Sequence, residues 1–266
     1  MKGRVLNTGL LVLAVSIFFV SGYSRAAVDD FAVPPSLMLH SHSVEFLPGF
    51  LDLLEKDGYT TITYKDLNDF VISGQSIPDK LIIISIDDYG PNRITHSLKL
   101  MAEELMSRGM VAVIGLVPGQ LSEAEWKYLD SLERAGFEIA SHTSSHKYLP
   151  GQPDNILREE ISGSYATISE HLESPVSLIL PYGVYGDDLR ILAVAQETGY
   201  SFVVGIPNGE WFTQPAPYYV GRGSPVITSA AATLTKLESR FTSTVIAKER
   251  TLLQLSSPLA SGTQPH

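Results

Sequence analysis

The run LIIISIDDYG, residues 81–90, drives an apolar, β-branched stretch straight into two adjacent carboxylates, Asp87 and Asp88, and then into Tyr89-Gly90. A short unbroken apolar run of this kind reads as a strand buried on both faces, as in a parallel sheet. Two like charges side by side at its end are costly unless something neutralises one of them.

The segments around it alternate. Residues 36–39 read as a short strand, 46–56 as a helix closed by Gly58, and 81–86 as the strong strand. Residues 94–108 carry Leu98, Met101 and Leu105 at helical spacing, and Gly109 stops them. Strands are expected at 111–116, 137–140, 176–180, 201–205 and 218–220, and helices at 123–135, 154–172, 187–198 and 230–241. Asp154 or Asn155 is the expected cap of the helix at 154–172. Residues 205–217 read as an irregular loop. Strand and helix in turn, with short glycine-marked joints and no internal repeat, imply a parallel α/β fold. Such folds place their chemistry at the carboxyl ends of the strands.

Composition narrows the function. The chain has 266 residues, 44% hydrophobic, enough for one sizeable core. Its net charge of −10 argues against binding a phosphate backbone, so no nucleic-acid partner is expected. With no cysteine there can be no thiolate metal site, redox pair or cysteine nucleophile. Residues 1–26 have the pattern of a signal peptide: Lys2 and Arg4, an apolar run over 10–20, and small residues around Arg25. The run is short for a membrane span. The expectation is export to the periplasm or medium with no span after cleavage, an uncleaved anchor being the alternative. Cleavage would remove three bases and no acid. Residues 27–250 would be the working domain, and the Ser/Pro/Gly-rich 251–266 a disordered tail. A monomer is expected.

Ionisable residues recur at the predicted strand ends. The first strand leads to His40 and His42, the next to Asp87 and Asp88, and the strand at 137–140 to SHTSSH with His142 and His146. The strand at 176–180 leads to Pro181-Tyr182-Gly183. On one helical turn, His142 and His146 would face the same way and share an ion, with a carboxylate from Asp87 or Asp88 as third ligand. One aspartate would bind the metal, and the other would act as base on the water. Each feature has an ordinary reading too: Asp-Asp as a turn former, a histidine as a hydrogen-bonded residue, Pro-Tyr-Gly as a turn. Their joint occurrence at strand ends favours a site.

With these residues in place, the chain resembles the polysaccharide deacetylases of carbohydrate esterase family 4. Ser85-Ile86-Asp87-Asp88 resembles the family's first motif, Thr-Phe-Asp-Asp. His142-Thr143-Ser144-Ser145-His146, followed by Leu149, resembles the second, and Pro181-Tyr182-Gly183 the end of the third. LMLHSH and GYTTITYKDL resemble the opening of the secreted branch that includes biofilm poly-N-acetylglucosamine deacetylases. The resemblance implies an incomplete (β/α) barrel. It also implies that Asp88, His142 and His146 hold a divalent metal, usually Zn2+, with Co2+ or Ni2+ sometimes accepted. Asp87 would be the general base, and the Tyr182 backbone N–H would hold the oxyanion. The implied substrate is an acetylated polysaccharide.

Three departures stand out. Ile179 occupies the place of the arginine that orients the base, and Arg222 in VGRGS is a candidate to lie near the site instead. The Leu-x-His that supplies the general acid is missing: TLLQL has Gln254, which leaves His40 as the first substitute and His42 as the second. Tyr89 stands where glycine normally follows Asp-Asp, with consequences expected for access to the metal. Pro181, Tyr182, Trp211 and Arg222 are the candidates to line the sugar cleft. The expected activity is removal of N-acetyl groups from N-acetylglucosamine-containing polysaccharide. The alternatives are O-acetyl esterase activity and a non-catalytic relative that binds glycan or metal. A metallophosphatase would want more ligands and a cationic clamp.

Overall fold

In the computed structural model, the residues described are 33–73, 75–91, 95–207, 212–213 and 217–240. The segments read as signal peptide and tail lie outside them, as does Trp211.

The strands are β1 (Ser36–Leu39), β2 (Thr60–Ile62), β3 (Leu81–Tyr89), β4 (Val113–Leu116), β5 (Glu138–Ser141), β6 (Ser177–Ile179), β7 (Phe202–Gly205), β8 (Phe212–Thr213) and β9 (Tyr218–Gly221). The helices are α1 (Leu47–Asp57), α2 (Tyr64–Ser73), α3 (Thr95–Ser107), α4 (Glu123–Arg134), α5 (Asp154–Ser169) and α6 (Arg190–Thr198), and residues 230–240 are also helical. The strand order is β1-β3-β4-β5-β6-β7-β9-β8, with β2 paired to the start of β3. Every pairing is parallel except β8 with β9.

The sheet curls until its ends meet. Gly223, just beyond β9, accepts a hydrogen bond from Met38 N at 2.9 Å and donates to Ser36 O at 2.8 Å. That single bridge to β1 nearly closes a barrel with helices outside, as the sequence reading expects. A Cβ on Gly223 would meet Leu237 Cδ2 at 2.4 Å, so any other residue at the seam would force that buried side chain to shift.

Both faces of the strands are buried, which explains the unbroken apolar run of β3. Ile82, Ile84 and Ile86 face outward and pack under the outer helices. Ile83 faces into the barrel, where Val113, Ala140, Ile179 and Val204 fill the interior. A third cluster joins α5 and α6 to β6 and β7.

Several local expectations need correction. Neither Asp154 nor Asn155 caps α5: its N-cap is Pro153, which has no side-chain cap bond, and Asp154 instead pairs with Arg190. Residues 205–217 are not wholly irregular, because Phe212–Thr213 adds antiparallel to β9. Strand β2 and helix α2 have no counterpart among the expected elements. The start of α2 is nevertheless marked by a Thr63/Asp66 pair: Thr63 N donates to Asp66 Oδ2 at 2.8 Å, and Asp66 N to Thr63 Oγ1 at 3.1 Å.

Candidate active site

His40 follows β1, Asp87 and Asp88 end β3, His142 follows β5, Pro181 follows β6 and Arg222 follows β9. All sit at the carboxyl end of the barrel. Inward-facing residues of β3 alternate as Ile83, Ser85, Asp87. Continued alternation would turn Asp88 outward. Instead Asp88 takes φ +70, and the register with β4 shifts between Ile86 and Tyr89. This irregularity absorbs one residue, as a β-bulge does. Asp88 therefore points to the barrel mouth, and Tyr89 takes the outward place. Its ring is buried in the outer core and stacks on Tyr128 at 6.3 Å. The substitution for glycine thus leaves the mouth untouched.

His142 and His146 do come together, but no helix brings them. Residues 142–146 form a loop with positive φ at Thr143 and His146, so the helical-turn expectation is replaced by two left-handed residues. His146 Nε2 lies 3.1 Å and His142 Nε2 3.6 Å from Asp88 Oδ1. The three ligand atoms fall within 4.8 Å of one another. His142 Nδ1 is 2.9 Å from the Ile179 carbonyl. With Nδ1–H donating there, Nε2 keeps its lone pair for an ion. Two imidazoles and one carboxylate suit zinc or a similar divalent ion.

The loop itself is held by Glu160 of α5, which composition and spacing gave no reason to single out. Ser145 N donates to Glu160 Oε2 at 2.9 Å, and Ser145 Oγ and Lys147 Nζ approach the other oxygen. Burial would raise the Glu160 carboxyl, but the Ser145 and Thr143 donors and Lys147 hold it below its ordinary value.

Asp87 is the first aspartate of the pair, and it points into the barrel. Gly115 of β4 makes room: a Cβ there would lie 3.3 Å from Asp87 Oδ1. Arg222 Nη1 donates to both Asp87 oxygens at 2.7 Å and to Ser85 Oγ at 2.7 Å. Burial pushes the Asp87 carboxyl up, but Arg222, with His142 and His40, outweighs it and holds the group below the ordinary carboxylate value. Arg222 is 1% exposed, and its Nε and Nη2 have no hydrogen-bond partner. It therefore faces Asp87 rather than an open cleft. A buried guanidinium with two unpartnered nitrogens costs stability, which argues that its contact with Asp87 serves the site.

His40 Nε2 lies 3.9 Å from Asp88 Oδ2, and its ring stacks on His42 at 5.7 Å. Burial lowers the His40 imidazole below its ordinary value, against the pull of Asp87 and Asp88. Pro181 is buried, whereas Tyr182 is 62% exposed with φ +60 and its ring 5.1 Å from His146.

Parallel barrels carry their chemistry at this end, and a cluster of this composition beside a buried carboxylate is suited to activating water. Residues 74–203 match the family model described as polysaccharide deacetylase. That segment, just under half of the chain, is a polysaccharide deacetylase domain, and the chain is an enzyme of that type. The matched segment contains Asp87, Asp88, His142, His146 and Tyr182, but neither His40 nor Arg222. A search of curated proteins found no match. Among solved structures, the chain is similar to the Streptococcus pyogenes deacetylase PplD in complex with acetate, at 16% identity and TM-score 0.62, covering 76% of this chain and 99% of that one. A de-N-acetylase from Aggregatibacter actinomycetemcomitans gives 17% identity and TM-score 0.62, over 76% of this chain and 98% of that one. IcaB from Ammonifex degensii gives 19% and 0.59, over 76% and 95%. At these identities the likeness is one of fold.

Proposed function

We propose that this protein is an exported hydrolase that removes N-acetyl groups from an N-acetylglucosamine-containing polysaccharide. One observation carries the reading: the buried Asp87 carboxylate, fixed by Arg222, stands next to the Asp88–His142–His146 cluster. A divalent ion held by those three residues, Zn2+ by preference and Co2+ or Ni2+ as substitutes, would polarise the acetamide carbonyl and supply water as nucleophile at neutral pH. Asp87, kept ionised by Arg222, takes the proton from the attacking water. The Tyr182 backbone N–H donates to the oxygen that gains charge. His40 gives a proton to the departing nitrogen as the C–N bond breaks, leaving acetate and a free amine. Export is supported by the pattern of residues 1–26. Among the described residues no helix is long and apolar enough to cross a membrane.

The test is acetate release from N-acetylglucosamine oligomers by the purified protein, after chelation and again after adding Zn2+ or Co2+, beside Asp87→Asn. Metal-dependent release that the variant lacks is expected. Release only from acetylated xylan would shift the reading to an O-acetyl esterase. Tight zinc binding with no release from any acetylated glycan would leave a non-catalytic relative.

A further inference from the structure

Beyond the ion cluster, the mouth of the barrel carries a feature that the proposed chemistry does not use. Tyr148 is 49% exposed, and its ring lies 5.8 Å from that of Tyr182 in an edge-to-face contact. Tyr182 in turn lies 5.1 Å from His146. The two tyrosines thus lead outward from the ligand cluster, ring after ring.

Two features show that this corner is built. Tyr182 holds a left-handed backbone, which is unfavourable for a bulky side chain and persists only where the surroundings enforce it. Gly183 accepts from Ile206 N at 2.7 Å, and a Cβ on Gly205 would meet Gly183 O at 2.4 Å, so the turn is clamped against β7. The Tyr148 loop is braced as well. Leu149 is buried in the core beside α5 and α6. Gln152 Nε2 donates to Tyr148 O at 3.0 Å, Gly151 N to Asp188 Oδ2 at 3.0 Å, and Arg190 Nη2 to Gln152 O at 3.1 Å. Rings carried on backbone held in this way are already placed when a ligand covers them.

The C–H face of a pyranose is apolar and slightly positive, and it matches the negative face of an aromatic ring. Resting on the deacetylase reading above, we infer that Tyr148 is a sugar-binding residue, stacking on the pyranose next to the one that loses its acetyl group, with Tyr182 bordering the reacting sugar. The site would therefore recognise a polymer rather than a single sugar. Binding energy from the neighbouring unit would be used to position the acetamide.

The experiment compares kcat/KM for N-acetylglucosamine oligomers of increasing length with that for a small chromogenic acetyl ester, in the wild type, Tyr148→Ala, Tyr148→Phe and Tyr148→Trp. Oligomer affinity is measured in parallel by calorimetry. The expected result is that Tyr148→Ala lowers the pentamer-to-ester ratio about tenfold and weakens pentamer binding to match, while Phe and Trp retain both. Equal loss on ester and pentamer, or no loss on either, overturns the inference. If the wild type deacetylates nothing, the functional reading fails by itself and calorimetry still judges Tyr148. Pentamer affinity unchanged by the alanine variant would then sink the subsite.

Discussion

Arg222 Nη1 lies 2.7 Å from both carboxylate oxygens of Asp87, across 135 residues of sequence and inside the barrel. In the proposed mechanism this contact orients the base and keeps it ionised. A carboxylate held low is charged above its pKa and loses its charge as pH falls through it. Replacing Arg222 with methionine should therefore raise the Asp87 value and move the acid limb of the pH–rate profile upward. The rate should fall about a hundredfold or more. Arg222→Lys keeps the charge and should shift the limb less. An unmoved limb in both variants would remove Arg222 from the mechanism.

Glu160 touches no candidate ligand, yet it ties down Ser145, next to His146. Glu160→Gln should weaken zinc binding roughly ten- to a hundredfold, the usual cost of losing such outer support. Competition with a chromophoric chelator measures it. Wild-type affinity in the variant would show that the loop holds its shape without this anchor.

Burial holds the His40 imidazole below the ordinary 6.5. If His40 donates the proton to the leaving amine, activity needs its charged form, which is lost as pH rises through the lowered value. A divalent ion beside it would push in the same direction. The alkaline limb of kcat should thus begin below 6.5 and be missing from the residual activity of His40→Asn. A limb that persists in the variant would assign the acid elsewhere, with His42 next to be tested.

At the opposite end of the barrel, Glu138 is buried. It accepts from Ser177 Oγ at 2.6 Å and from Lys65 N at 2.8 Å. Burial outweighs these donors and raises its carboxyl from 4.5 to about 7. Between those values the folded chain holds a proton that the unfolded chain has released. Stability should therefore fall as pH rises across that window, by roughly 3 kcal/mol at most. Urea unfolding at pH 5 and pH 7 should show this slope in the wild type and not in Glu138→Gln.

Much of the fold was legible because parallel strands buried on both faces leave apolar runs, and glycines mark the joints. The segment at 60–73 was missed. Its strand is only three residues long, but its helix is as amphipathic as α1 and the Thr63/Asp66 pair marks its start, so the sequence did carry the signal for it. In the candidate site, Asp87, Asp88, His142 and His146 were legible from type and position. Glu160 and Gly115 were not. A buried glutamate in a helix and a glycine in a strand look the same whatever they face.

The sequence by itself determined the alternation of elements, the ends of the strands and the ionisable residues placed there, since these depend on local pattern and turn chemistry. Only the tertiary structure decided what those residues do to one another. Curling the sheet until Gly223 meets β1 brings Arg222 onto Asp87. A left-handed Asp88 separates two neighbouring carboxylates into different surroundings. Both depend on contacts between residues far apart in the chain, which no local pattern records.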